Sequence, residues 1–286
     1  MRPESVALVL LSAAVHVYWN HQVKRSKDPV VFTWWLQALG GLLFLPVGIL
    51  TAESTRIPAP GWLCIAGTGL IYGAYYSFIA YSYRREDLSC AYPISRGVAP
   101  VAGVLLGLLV YRESPSALGI TGVALICLGV AALSVSSIQA KGSNLSLPGI
   151  AAAVATGVCT AGYSAVDKLG VQLVHPILYI SLTFLAGAAA QSWLVLRMRN
   201  RGVLLKFLRQ NSPSLLSSAV LATAAYLVIL YVLRTEPVSY VVPLRSVSVV
   251  MSVVVGSRFL SEDVGFLRLP AAFAVLLGIS VLASGR

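Results

Sequence analysis

Charge is scarce in this chain, and negative charge is scarcest. Aspartate and glutamate together number 10, histidine 3, and charged residues make up 11% of 286 positions, against about 25% in soluble domains. No polar stretch is long enough to form a separate water-soluble domain. Cysteine is rare too: Cys64, Cys90, Cys127 and Cys159 lie in apolar segments without metal-ligand spacing, so they read as packing residues, not as a metal centre or a disulfide framework. There is no HExxH, no GxSxG and no pair of carboxylates inside an apolar run. Nucleophile, base and catalytic metal are therefore all missing, and neither an enzyme, a cofactor nor a metal site is expected.

What the chain has instead is length of apolar sequence: 57% hydrophobic residues and a mean hydropathy of +0.82. The apolar runs are about twenty residues long, the length an α-helix needs to cross roughly 30 Å of hydrocarbon. Ten are read, at 4–22, 29–51, 61–82, 88–111, 116–137, 147–166, 175–196, 213–233, 237–258 and 266–284, separated by polar or proline-bearing stretches such as "KRSKDP" and "YRESPS". The expected fold is an all-α integral membrane protein with ten transmembrane helices, multi-pass in a cell membrane, that of the bacterial inner membrane. The net charge of +11 would suggest nucleic acid in a soluble protein. Here the lysines and arginines sit in short loops, where they set orientation, so the lipid bilayer is the partner and nucleic acid is not.

The sequence is written twice. Residues 74–113 align with 224–262 across a one-residue gap just before an arginine: Tyr76 meets Tyr226, Arg84 meets Arg234, Glu86 meets Glu236, Pro93 meets Pro243, Arg96 meets Arg245, Gly107 meets Gly256 and Glu113 meets Glu262. The first run matches the sixth, with Trp19-Asn20 over Tyr163-Ser164, Lys24 over Lys168, and "DP" at 28–29 over "HP" at 175–176. That internal counterpart argues that the amino-terminal run is a helix of the fold and not a cleaved signal. Two units follow, 1–140 and 147–286, of five helices each. An odd number of crossings turns the second upside down, giving a 5+5 inverted repeat, an arrangement that encloses a midplane site in transporters.

With "YPISRGVAPVAGVLLGLLVYRE" closing the fourth run at Glu113 and "VPLRSVSVVMSVVVGSRFLSE" closing the ninth at Glu262, the chain resembles the EamA branch of the drug/metabolite transporter superfamily over essentially its whole length. The resemblance implies a secondary transporter of a small metabolite, often an exporter, with a cavity lined by helices 1, 3, 4, 6, 8 and 9.

The residues of that cavity can be nominated. Arg96 and Arg245 lie inside apolar runs, where a guanidinium costs at least about 2.5–3.5 kcal/mol and must face protein or water. One role for them is to satisfy backbone carbonyls loosened by Pro93, Pro100 and Pro243; the other is to grip an anionic or zwitterionic substrate bidentately. Measured from opposite faces, the two should stand near different entrances. Trp19, Asn20, Tyr76, Tyr163 and Tyr226 are candidates for stacking on or hydrogen-bonding to that substrate. His16 is a candidate for proton coupling, since imidazole titrates near neutrality. All ten acids read as helix-end or loop residues, so no buried carboxylate is expected and cationic drugs are a poor fit. Glu86, Glu113, Glu236 and Glu262 are placed to cap helix amino-termini. Residues 197–209 read as a basic loop along the headgroups. The GxxxG step at Gly103 and Gly107 reads as close packing within the chain, consistent with a monomer or weak homodimer. Outside the two arginines, six cationic residues fall on the side of the termini and thirteen opposite. The positive-inside rule then puts both termini outside the cytoplasm, whereas the resemblance implies cytoplasmic termini.

Overall fold

The computed structural model describes residues 1–52, 55–141, 146–251 and 268–284. The described residues form helices α1 (Pro3–Arg25), α2 (Pro29–Thr51), α3 (Ala59–Arg85), α4 (Leu88–Val110), α5 (Ala117–Lys141), α6 (Leu147–Leu173), α7 (Pro176–Met198), α8 (Arg201–Leu233), α9 (Val238–Arg245) and α10 (Arg268–Ser284). After a turn at Ser246 and Val247 the chain is helical again to Met251. Proline opens α1, α2 and α7, where its missing N–H costs nothing. Asp28, Ser146 and Asn200 cap α2, α6 and α8 by accepting from first-turn amides.

Seven of these, α2 to α8, are long and apolar enough to cross a membrane, and side chains such as Leu50, Leu63, Leu70 and Leu109 point outward. The molecule is a membrane protein whose described residues contain helices and no strand. The expected ten spans are not all matched: α1 carries too many polar residues to qualify, and α9 and α10 are short apolar helices beside residues outside the described set, which include Glu262 and Gly256. Two boundaries also differ from the hydropathy reading. Of the expected headgroup loop at 197–209, Arg197 and Met198 end α7 and residues 201–209 open α8; Leu204 is buried in a cluster with Val30, Val31, Ala80 and Val195, and its carbonyl accepts from the Trp35 indole at 3.1 Å. Tertiary packing holds that stretch helical where hydropathy falls away. The second is α6, which runs on to Leu173 past Asp167.

The helices pair by repeat. α3 packs on α6 as α8 packs on α1, α3 on α7 as α8 on α2, and α4 on α9, with α2–α7 and α5–α10 completing the bundle. Polar junctions record the relation between the halves. At one, Glu86 accepts from the Ser146 amide that starts α6, and Lys24, near the end of α1, donates to the carbonyls of Tyr83 and Glu86 at 2.8 and 2.6 Å. At the other, Glu236 accepts from the Arg2 amide at 3.0 Å and the Ser5 hydroxyl at 2.8 Å at the start of α1, and Lys168 donates to the Glu236 carbonyl at 2.7 Å. α1 and α6 therefore run in opposite directions between the same two junctions. Burial alone would raise the Glu236 carboxyl, but the Arg2 and Ser5 donors and the terminal ammonium outweigh it and hold it below the usual range.

Close approach of α4 and α9 depends on glycine. A Cβ at Gly103 would meet Val242 Cβ at 2.7 Å, and one at Gly107 would meet the Glu113 carboxylate at 2.5 Å. Just past α4, Arg112 adopts φ 50°. The left-handed residue turns the chain back, and Glu113 reaches beneath α9 to accept from the amides of Val238 and Ser239 at 2.8 and 3.0 Å.

Candidate functional site

Three tyrosine-bearing helices meet at the centre of the bundle. Thr68, Tyr72 and Tyr76 follow one another at four-residue spacing on one face of α3, turned to Tyr163 of α6 and Tyr226 of α8. The Tyr72 ring lies 4.9 Å from Tyr163 and 6.0 Å from Tyr226, and Tyr163 lies 5.5 Å from Tyr226, all edge to face, the arrangement the ring quadrupole favours. With His16, Trp19, Phe184 and Arg245 these rings surround a central space of about 20 Å³, room for about one water. A wider depression of about 490 Å³, between Gln172, Tyr231, Arg234 and Thr235, shares none of this lining and opens at the helix ends.

The nominated residues divide as follows. Trp19, Tyr76, Tyr163, Tyr226, His16 and Arg245 line the central space. Asn20 lies behind it, donating to the His16 carbonyl at 2.8 Å and accepting from the Tyr83 hydroxyl at 2.8 Å. Arg96, 4% exposed, reaches the centre through a short contact with His16 Nε2. Arg245, 5% exposed, donates to the Ser164 and Tyr163 hydroxyls at 3.2 and 3.3 Å and lies 5.0 Å from the Tyr226 ring centroid. Tyr72 and Phe184 were missed by the sequence reading, although the four-residue stripe on α3 is legible. Phe184 also brings α7 into a lining expected from helices 1, 3, 4, 6, 8 and 9.

Neither guanidinium spends its hydrogen bonds on proline-loosened backbone among the described residues. Pro100 leaves the Arg96 carbonyl without its i+4 donor, and that carbonyl accepts instead from the Ser246 hydroxyl at 3.0 Å. The same contact marks where α4 and α9 cross. Arg96 is eight residues into α4 and Arg245 seven into α9, about 12 and 10 Å at 1.5 Å per residue. Taken from opposite faces of a layer of roughly 30 Å, those depths differ by only about 8 Å. The Ser246 contact brings the backbones beside the two arginines together where α4 and α9 cross, while each arginine stays nearer the face from which its own helix starts.

A buried acid corrects the reading that all acids are peripheral. Asp167 lies within α6 and is 0% exposed. Its Oδ1 accepts from Thr68 at 2.6 Å and Tyr179 at 2.8 Å, and its Oδ2 from Tyr226 at 2.6 Å. The apolar run ends just before it, but the helix continues because three hydroxyls from three other helices satisfy the carboxylate. The premise of a cavity without a buried carboxylate is therefore withdrawn.

The model of the EamA-like transporter family matches residues 5–135 and again 147–284. The chain belongs to this family. Its two matched stretches are the two halves related by the junctions at Glu86 and Glu236. A solved structure known only as the crystal structure of a protein superposes with a TM-score of 0.74 over 99% of this chain and 99% of its own, at 17% identity, a likeness of fold alone. No curated protein matches the sequence.

Proposed function

We propose that this EamA-like protein is a secondary transporter that carries a small anionic or zwitterionic metabolite by alternating access, in the efflux direction that the family resemblance implies. Residues 1–140 and 147–286 are the two inverted five-helix halves, ten spans in all, that rock about the central site. The observation that supports this reading is the convergence of Arg96 and Arg245, from equivalent positions of the repeat, on a space walled by aromatic rings. Among the described residues these two positive charges have one carboxylate near the centre, Asp167, since the other buried acids, Glu86 and Glu236, sit at the helix-end junctions. One positive charge is left over in a setting poor in water, where an anionic group held bidentately is its natural partner. A space of about 20 Å³ admits no metabolite, so the substrate-binding state is a wider one, reached when α1, α3 and α4 move against α6, α8 and α9. A cationic substrate fits less well, because both oxygens of Asp167 are occupied by hydroxyls and the groups presented to the space include Arg245.

Counterflow into proteoliposomes tests this, using labelled monocarboxylates, amino acids and phosphate monoesters. Exchange of at least one anionic or zwitterionic member is expected. Arg96→Gln and Arg245→Gln should each weaken its binding, with lysine restoring it in part because it lacks the planar fork. A non-transporting partner or receptor would bind without exchange. Wild-type affinity in both glutamine variants would remove the arginines from the site.

A further inference from the structure

Asp167 has a feature that packing does not require. An acid at membrane depth costs about 2.5–3.5 kcal/mol on insertion scales, and its hydrogen-bond partners Thr68, Tyr179 and Tyr226 are neutral hydroxyls. Its neighbour Lys168 turns away, to the Glu236 carbonyl and to Glu113 at 3.7 Å. The repeat supplies a control. By the register that pairs Lys24 with Lys168, Pro29 with Pro176 and Tyr76 with Tyr226, the positions of Asp167, Tyr179 and Thr68 are taken in the other half by Val23, Phe32 and Ser218. There the Ser218 hydroxyl is buried with no partner among the described residues. One half thus closes the same packing without an acid, so the acid in the other half serves something else.

We infer that Asp167 is the proton-binding carboxylate of this transporter and that Tyr226 passes its protonation state to the substrate cavity. The inference rests on the transporter reading above. Ionised, Asp167 Oδ2 accepts the Tyr226 O–H. When a proton binds at Oδ2, the new O–H donates to the Tyr226 oxygen, and the phenolic hydrogen is free to turn toward the cavity that Tyr226 lines. One event removes a negative charge near Arg245 and adds a donor to the wall. Anion and proton therefore bind with mutual help and cross in the same direction, by the reciprocity of linkage.

The titratable groups around Asp167 on the neighbouring helices are Cys64 and Tyr72 of α3, Tyr111 after α4, Tyr179 of α7, Tyr226 of α8 and Arg245 of α9, with Tyr163 on α6 itself and Lys168 turned away. Thiols, phenols, lysine and arginine already carry their protons at neutral pH, so the group in this cluster with a site open to a further proton is the buried Asp167 carboxylate, whose hydrogen-bond partners are neutral hydroxyls. His16 is less suited: Arg96 and the Trp19 indole N–H both point donors at its ring. A proton there would set a cation against a guanidinium.

The first arm of the test needs no substrate, the proton itself being the probe. Infrared difference spectra of the reconstituted protein between neutral and mildly acidic buffer should show a buried protonated-carboxyl stretch together with a tyrosine ring-band change. Asp167→Asn should lose the carboxyl band. Tyr226→Phe should keep it, shifted, and lose the tyrosine change. Carbon-13 labelling of the aspartate carboxyls in the wild type assigns the band without a variant, to one of Asp28, Asp87, Asp167 and Asp263. No titrating band, or the same band in Asp167→Asn, overturns the inference.

In the second arm, affinity for an exchanged anion should fall by up to about tenfold per pH unit above the titration, and the dependence should be flat in Asp167→Asn. A dependence unchanged in that variant also overturns it. If the band behaves as expected while no anion exchanges, the transporter reading fails and the proton site stands.

Discussion

Replacing Glu113 by glutamine should loosen the amino-terminus of the helix that carries Arg245. Its carboxylate accepts from both Val238 and Ser239 amides, at 2.8 and 3.0 Å, first-turn donors with no partner inside α9. Glutamine keeps one acceptor oxygen and turns an NH2 toward the other amide. The retained bond drops from charge-assisted to neutral, a loss of about 1 kcal/mol, and the abandoned amide costs about 1–3 kcal/mol. Losing the negative charge at the helix amino-terminus adds about 0.3–1 kcal/mol, and Lys168, 3.7 Å away, loses a counter-ion. The total, allowing for partial relaxation, is roughly 2–4 kcal/mol. Reversible unfolding in mixed micelles by titration with dodecyl sulfate measures it directly. Pairing Glu113→Gln with Lys168→Met should give a sum smaller than the parts, since the lysine has less to lose once the carboxylate is gone. A stability within about 0.5 kcal/mol of wild type, the range of ordinary surface changes, would show that Glu113 does not anchor α9.

Gly103→Ala should cost about 1–3 kcal/mol in the same titration, because its methyl would meet Val242 at 2.7 Å; a neutral result would mean that α4 and α9 are free to separate. Replacing Cys64, Cys90, Cys127 and Cys159 together by serine or alanine should leave a folded protein with wild-type exchange, as all four are free thiols; a metal that co-purifies and is lost with them would contradict this. In that cysteine-free background, Ser114→Cys should react with an impermeant thiol reagent in intact cells and Lys27→Cys only after lysis, both positions being exposed. The reverse pattern would put the termini in the cytoplasm, against the charge asymmetry.

The sequence by itself determined the membrane class, the duplication, and the pairing of Arg96 with Arg245, Lys24 with Lys168 and Glu86 with Glu236. Those are one-dimensional properties: bilayer thickness dictates run length, and a duplicated chain repeats its polar positions in order. It also made Glu113 a helix cap, since an acid between two helix ends has amides to meet. Tertiary structure decided the rest. Asp167 looked like the first residue after a span, because hydropathy registers the end of apolar sequence and not the three hydroxyls, from α3, α7 and α8, that keep the helix going. Residues 197–209 looked like a loop for the same reason, whereas they end α7 and open α8, with Leu204 in a buried cluster with Val30, Val31, Ala80 and Val195. That Arg96 and Arg245 flank one crossing of α4 and α9 was not legible, because depth counted along each helix does not say which helices touch. Which side chains share the central space depends on helix rotation and crossing, set by contacts such as Gly103 on Val242 and Ser246 on the Arg96 carbonyl, between residues more than a hundred positions apart.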